Sequence, residues 1–176
     1  AGYSAQDAAV FTASVSQQNL FGRGQSLSLK ASLGSRVTNF DISFIEPWLF
    51  DRPLWSRVDL WNFVREYDEY DLDSKGFGFT LGYPLWEPFF GYVGYRVTVD
   101  DVSNIDSDSE YLWDQEGQTT LSSMTFTLAR DTTDDNMFPT KGSKNTGSIE
   151  YTGGILGGDS DFMKYNFTSQ WFFPLP

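Results

Sequence analysis

Long runs of strict two-residue alternation constrain this chain more than any other feature of its sequence. In residues 25–33, Leu27, Leu29, Ala31 and Leu33 share one parity, and Ser26, Ser28, Lys30 and Ser32 the other. Residues 36–46 set Phe40, Ile42 and Phe44 against Asn39, Asp41 and Ser43. Residues 75–85 oppose Phe77, Phe79 and Leu81 to Gly76, Gly78 and Thr80, and residues 89–100 oppose Val93, Tyr95 and Val97 to Gly94, Arg96 and Thr98. Residues 119–130 carry Met124, Phe126 and Leu128 on one parity; residues 162–173 carry Met163, Tyr165, Phe167 and Trp171. Residues 8–17 (Phe11, Ala13, Val15) and 145–153 (Ile149, Tyr151) alternate more weakly. Successive side chains of a strand point to opposite faces, so each run reads as a two-faced strand, and helical spacing fits none of them. Residues 55–66 break the rule, because Trp61 and Phe63 join Arg57, Asp59 and Arg65; we read a strand whose polar face is partly aromatic. The sum is nine strands and a stub at residues 1–4.

Two architectures satisfy such a pattern. In a soluble sandwich the apolar parity faces a core and the polar parity faces water. In a transmembrane barrel the apolar parity faces lipid and the polar parity a wet lumen. Runs of 9–12 residues match the roughly 9–11 that a tilted strand needs to cross a bilayer, and exceed the usual strand of about 5–6. The charges in mid-strand (Lys30, Asp41, Arg96, Glu150, Lys164) keep to the polar parity, as does Arg57 in the irregular run. The alternation therefore favours an all-β, antiparallel, up-and-down transmembrane barrel.

Composition removes most alternatives. With no Cys and no His there is no disulfide framework, no thiolate or imidazole zinc site and no histidine-based triad. A net charge of −12 leaves no basic footprint for nucleic acid. No catalytic set, cofactor site or metal site is expected. The chain nevertheless holds 16 Phe, 9 Tyr and 6 Trp, which a disordered acidic tail would not.

The connections fall into two alternating classes. One is short and rich in aromatics and proline: Asn19-Leu20-Phe21-Gly22, then Pro47-Trp48-Leu49-Phe50-Asp51-Arg52-Pro53, then Pro84-Leu85-Trp86-Glu87-Pro88. Aromatic rings at strand ends suit the headgroup boundary of a membrane. The other class is acidic. Residues 66–74 hold five carboxylates and residues 100–116 seven, and neither stretch contains a Lys or Arg. Residues 153–160 form a glycine-rich loop on the same side, and residues 131–142 are a longer connection on the short-turn side. Asp106-Ser107-Asp108-Ser109-Glu110 starts like a calcium loop, but Tyr111 stands where the sharp turn needs Gly, so a solvated acidic loop is the expectation.

Three ordered motifs resemble the Omp85 family of outer-membrane assembly proteins. They are Ser16-Gln17-Gln18-Asn19-Leu20-Phe21-Gly22-Arg23-Gly24 followed by Phe40 to Phe50; Asp131 to Ser143, with Pro139 and Gly142; and residues 157–174. The resemblance implies part of a 16-strand barrel in the bacterial outer membrane, working without a cofactor to fold and insert other outer-membrane proteins. It makes Asn19, Leu20, Phe21, Gly22, Gly24, Pro47, Trp48, Phe50, Pro139 and Gly142 periplasmic-turn residues, and the acidic loops extracellular. Phe11, Ala13 and Val15 would lie beside the lateral seam, where the barrel opens to template clients. Phe40, Phe44, Phe77, Phe79, Tyr95, Phe126, Tyr165, Phe167 and Trp171 would face lipid and lipopolysaccharide; Lys30, Asp41, Arg57, Arg96, Glu150 and Lys164 would face the lumen. Lipoprotein partners would dock on POTRA domains that this chain lacks, and a fragment with bare edges is expected to close as a smaller barrel, to pair with another copy of itself or to be a piece of a larger chain. A passive small outer-membrane barrel and a secreted binding sandwich are the alternatives.

Overall fold

The computed structural model describes residues 2–4, 8–106, 113–135 and 137–174, with side chains from residue 9 onward. Ten strands follow one another as β1 (Gly2–Ser4), β2 (Ala8–Leu20), β3 (Gln25–Gly34), β4 (Val37–Glu46), β5 (Trp55–Glu66), β6 (Asp71–Trp86), β7 (Phe89–Ser103), β8 (Gly117–Asp131), β9 (Gly142–Thr152) and β10 (Phe162–Phe172). They form one antiparallel sheet whose spatial order is the chain order. No second sheet packs on it among the described residues, so the sandwich alternative fails. β1 and β10 do not pair, and the barrel stays open. No helix of the described residues is long and apolar enough to cross a membrane.

Register converts alternation into two faces. One row runs Leu27–Phe44–Val58–Phe79–Tyr95–Met124–Tyr151–Met163 across eight strands. The opposite face carries the row Lys30–Asp41–Trp61–Gly76. A one-residue slip in any strand would exchange its two faces. Val37 is the single buried apolar side chain among the described residues, whereas Phe126 is 51% and Phe167 76% exposed. An apolar face this large with no covering layer is not the surface of a protein in water.

The irregular β5 has a local explanation. Trp61 lies on the polar face across Gly76, where a Cβ would come within 2.2 Å of its ring. The Arg96 guanidinium stands 4.6 Å from the centroid of the same ring. Trp61 thus fills space that glycine leaves empty on the neighbouring strand, with a cation stacked on it.

The acidic connections are shorter than the sequence suggests. β5 and β6 pair up to Glu66–Asp71, so Asp71 and Asp73 belong to a strand. Asp100 and Asp101 likewise pair with Ser74 and Asp73. β6, β7 and β8 run 16, 15 and 15 residues, several more than a bilayer needs. Residues 153–159 fold back along β8, with the Gly153 amide donating to the Ser122 carbonyl (2.9 Å) and the Asp159 amide to that of Thr120 (2.8 Å).

Candidate functional site: two faces, an open edge and a braced rim

The polar face holds paired charges. Lys30 is directly opposite Asp41, and Glu150 directly opposite Lys164. Arg57 donates through Nε to both Asp59 oxygens (2.9 and 2.8 Å), with Nη2 2.8 Å from Oδ1. Asn39 donates to Asp41 (2.7 Å). A hollow of about 760 Å³ touches Ser28 and Lys30 of β3, Arg57 and Asp59 of β5, Arg96 of β7 and Thr127 of β8. Strands lie about 4.8 Å apart, so one hollow reaching across five strand spacings requires the sheet to curl toward its polar side. The register brings all six of Lys30, Asp41, Arg57, Arg96, Glu150 and Lys164 to this face. It sets Phe40, Phe44, Phe77, Phe79, Tyr95, Phe126, Tyr165, Phe167 and Trp171 on the other. Tyr95 satisfies its hydroxyl there against Ser122 Oγ (3.0 Å).

Two edges are bare among the described residues. β1 pairs with β2 only through Ser4–Ala8 to Gly2–Val10. Residues 11–20 of β2 pair with β3 on one side and with no described strand on the other. Phe11 and Val15, 63% and 67% exposed, stand on this strip with Ala13 between them. β10 leaves its far side open in the same way.

The short turns form a connected rim. Asn19, Phe21, Gly22 and Gly24 all adopt positive φ, and Asn19 Oδ1 accepts from the Gly24 amide (2.7 Å). A Cβ on Gly24 would touch the Pro47 ring at 3.4 Å, which places this turn against the next one. Glu46 accepts from the Gln25 side chain and from the Trp48 amide (2.9 Å), and Arg23 lies 3.9 Å from Asp51. Leu20 ends β2, while Phe21 and Phe50 project outward at 85% and 80% exposure.

The connection between β8 and β9 is braced by its own carboxylates. Asp134 accepts from the Thr140 hydroxyl (2.5 Å) and the Thr140 and Lys141 amides (2.9 and 3.1 Å). These donors, the hydroxyl first, hold its carboxyl well below the ordinary range. The Phe138 and Met137 amides lower Asp135 in the same manner, and Pro139 follows directly. Gly142 sits at φ +105°, where a Cβ would lie 2.2 Å from the Thr132 carbonyl oxygen. The sequence marks Pro139 and Gly142 but not the two aspartates, whose role depends on donors up to seven residues away. The calcium-like segment falls mostly outside the described residues. Among those described, no group of acidic side chains is arranged to hold a metal.

A single curled sheet with a bare apolar face, a charged inner face and open edges defines a sector of a transmembrane β-barrel. The chain belongs to the Omp85 superfamily, whose domain matches residues 19–176. It is 30% identical over 85% of its length to the outer membrane protein assembly factor BamA of Nitratidesulfovibrio vulgaris, spanning 19% of that protein. It is 24% identical over 86% of its length to a sorting and assembly machinery component 50 homolog of Xenopus tropicalis, spanning 33% of it. The crystal structure of BamA from Haemophilus ducreyi lacking POTRA domains 1–3 superposes with a TM-score of 0.61 at 22% identity, over 85% of this chain and 32% of that one. The chain thus spans about a fifth to a third of these relatives.

Proposed function

We propose that this chain is the leading sector of the barrel of an outer-membrane protein assembly factor, and that β2 lies beside the seam at which clients are templated. The observation that carries the reading is the match of residues 19–176 to the Omp85 domain, on one antiparallel sheet whose order is the chain order. A strand edge at an opening seam is a template for strand addition, with main-chain hydrogen bonds supplying affinity. The names of the relatives, assembly factors in a bacterium and a vertebrate, support the same reading. Phe40, Phe77, Phe126 and Phe167 then face lipid, Lys30, Asp41, Arg57 and Arg96 face the lumen, and the acidic ends of β6 and β7 stand outside the cell near lipopolysaccharide. The short turns are periplasmic, on the side from which POTRA domains and their lipoprotein partners act. The work needs strand exchange alone, with neither cofactor nor covalent chemistry, so the protein is not an enzyme.

The test is made in the full-length protein reconstituted in vesicles. Ala13→Pro removes a backbone donor and stiffens the strip. Assembly of a barrel client, scored by protease protection, is expected to fall sharply while the variant itself reaches the membrane in normal amount. Normal client assembly at normal expression defeats the proposal in favour of a passive barrel.

A further inference from the structure

The apolar face is not uniform. Near the short-turn rim it opens into a groove of about 790 Å³, lined chiefly by Leu81, Val93, Phe126, Leu128 and Ile149. Its floor dips at Gly147, at the end of the register row Gly91–Leu128–Gly147 across β7, β8 and β9; Leu85 already covers Gly91, its side chain 3.1 Å from where a Cβ would stand. Leu54, from the connection before β5, closes one side. On a face bathed in lipid, a groove this apolar holds hydrocarbon.

The strand also says which end of a lipid sits where. Two residues beyond Leu128 on the same face comes Arg130, about 7 Å further toward the rim at the usual strand rise. Its Nη1 donates to Ser143 Oγ (3.1 Å), and no carboxylate pairs with it among the described residues. The neighbouring Asp131 points to the opposite face and is 3.4 Å from Lys144. A cation on the lipid side at the edge of the apolar band complements a phosphate, which takes guanidinium donors in pairs.

We propose that β7–β9 carry a site for one anionic glycerophospholipid, an acyl chain lying over Leu128 and Gly147 and the phosphate on Arg130. The inference rests on the membrane orientation given under Proposed function.

The experiment uses the full-length protein in phosphatidylcholine nanodiscs containing a trace of phosphatidylglycerol, or of phosphatidylcholine, with a photoreactive acyl chain. Labelled peptides are read by mass spectrometry. Labelling is expected to concentrate on residues 126–130 and 145–151 and to favour phosphatidylglycerol by about tenfold, the equivalent of one charge-assisted contact. Gly147→Leu fills the groove; its Cβ would meet only Phe167, at an ordinary 3.9 Å. This variant is expected to lose the concentrated label while the strands around Phe40 and Phe44 stay labelled as before. Arg130→Gln keeps a donor for Ser143 and is expected to abolish the headgroup preference, an arm that stands even if the groove variant folds poorly. Millimolar inorganic phosphate should not compete, since the chain supplies most of the contact. Even labelling around the apolar face, or label unchanged in Gly147→Leu, overturns the site. Preference unchanged in Arg130→Gln overturns the phosphate assignment. Absence of label from the whole apolar face instead defeats the membrane reading beneath it.

Discussion

The contact among Trp61, Gly76 and Arg96 allows a quantitative test of how the inner face is built. Replacing Gly76 with Ala inserts a methyl group 2.2 Å from the Trp61 ring and 2.4 Å from the Val97 carbonyl oxygen. Neither distance is tolerable, so the indole must lift and the β6–β7 ladder must shift. Overpacking of this kind costs about 1–3 kcal/mol. Lifting the ring also removes it from Arg96, now 4.6 Å from its centroid, a contact worth about 0.5–2 kcal/mol. The expected loss for Gly76→Ala is therefore about 1.5–5 kcal/mol. Part of that loss runs through the indole and part through the backbone, and a double-mutant cycle separates them. In a Trp61→Ala background the same substitution should cost about 1–2 kcal/mol less, leaving the clash with Val97. Equilibrium unfolding of the full-length protein by urea in lipid vesicles, followed by heat-modifiable gel migration, gives the four stabilities. Equal costs in the two backgrounds would refute the stacked arrangement.

Three further outcomes are expected. Phe126→Arg places a charge on the lipid face and should cost about 2–4 kcal/mol in vesicles, whereas Thr125→Arg, opposite Glu150 on the polar face, should cost far less; equal costs would contradict the assigned faces. Gly142→Ala forces a side chain into positive φ and against Thr132, so it should lower the unfolding midpoint more than Gly22→Ala, whose Cβ meets nothing within 4 Å. Asp134 and Asp135 have carboxyls held below their ordinary values, so their bracing is complete above the ordinary carboxylate pKa of about 3.9 and is lost as pH falls through the lowered values. Hydrogen exchange at the Thr140 and Lys141 amides should stay slow from neutral pH into mild acid, after correction for intrinsic rates, and rise only below it; Asp134→Asn should remove that acid transition.

Alternation made the strands legible because each half-turn of the backbone meets a different solvent, and the choice between lipid and lumen repeats at every residue. The same logic explains where the reading stops. Past the bilayer both parities meet water, so Asp71, Asp73, Asp100 and Asp101 lose the apolar partners that mark a strand, although the ladder continues through them. Trp61 announces itself only as a breach in β5. Its explanation, Gly76, sits on the next strand and is visible only once the register is known. Positive φ at Phe21 and Phe50 is equally silent, since a bulky residue gives no local hint of a left-handed turn. The groove over Gly147 is visible only once β8 and β9 are aligned and an ordinary glycine becomes the neighbour of Leu128.

The clasp between the first two short turns has a mechanical consequence. Gly24 against Pro47, Gln25 on Glu46 and Arg23 near Asp51 tie the turn after β2 and the start of β3 to the end of β4 and the connection that follows it. Separation of β3 from β4 at that end would have to break these ties first, while the Asn19–Gly24 hydrogen bond closes the turn between β2 and β3. At this rim β3 and β4 therefore move as one panel rather than peeling apart strand by strand.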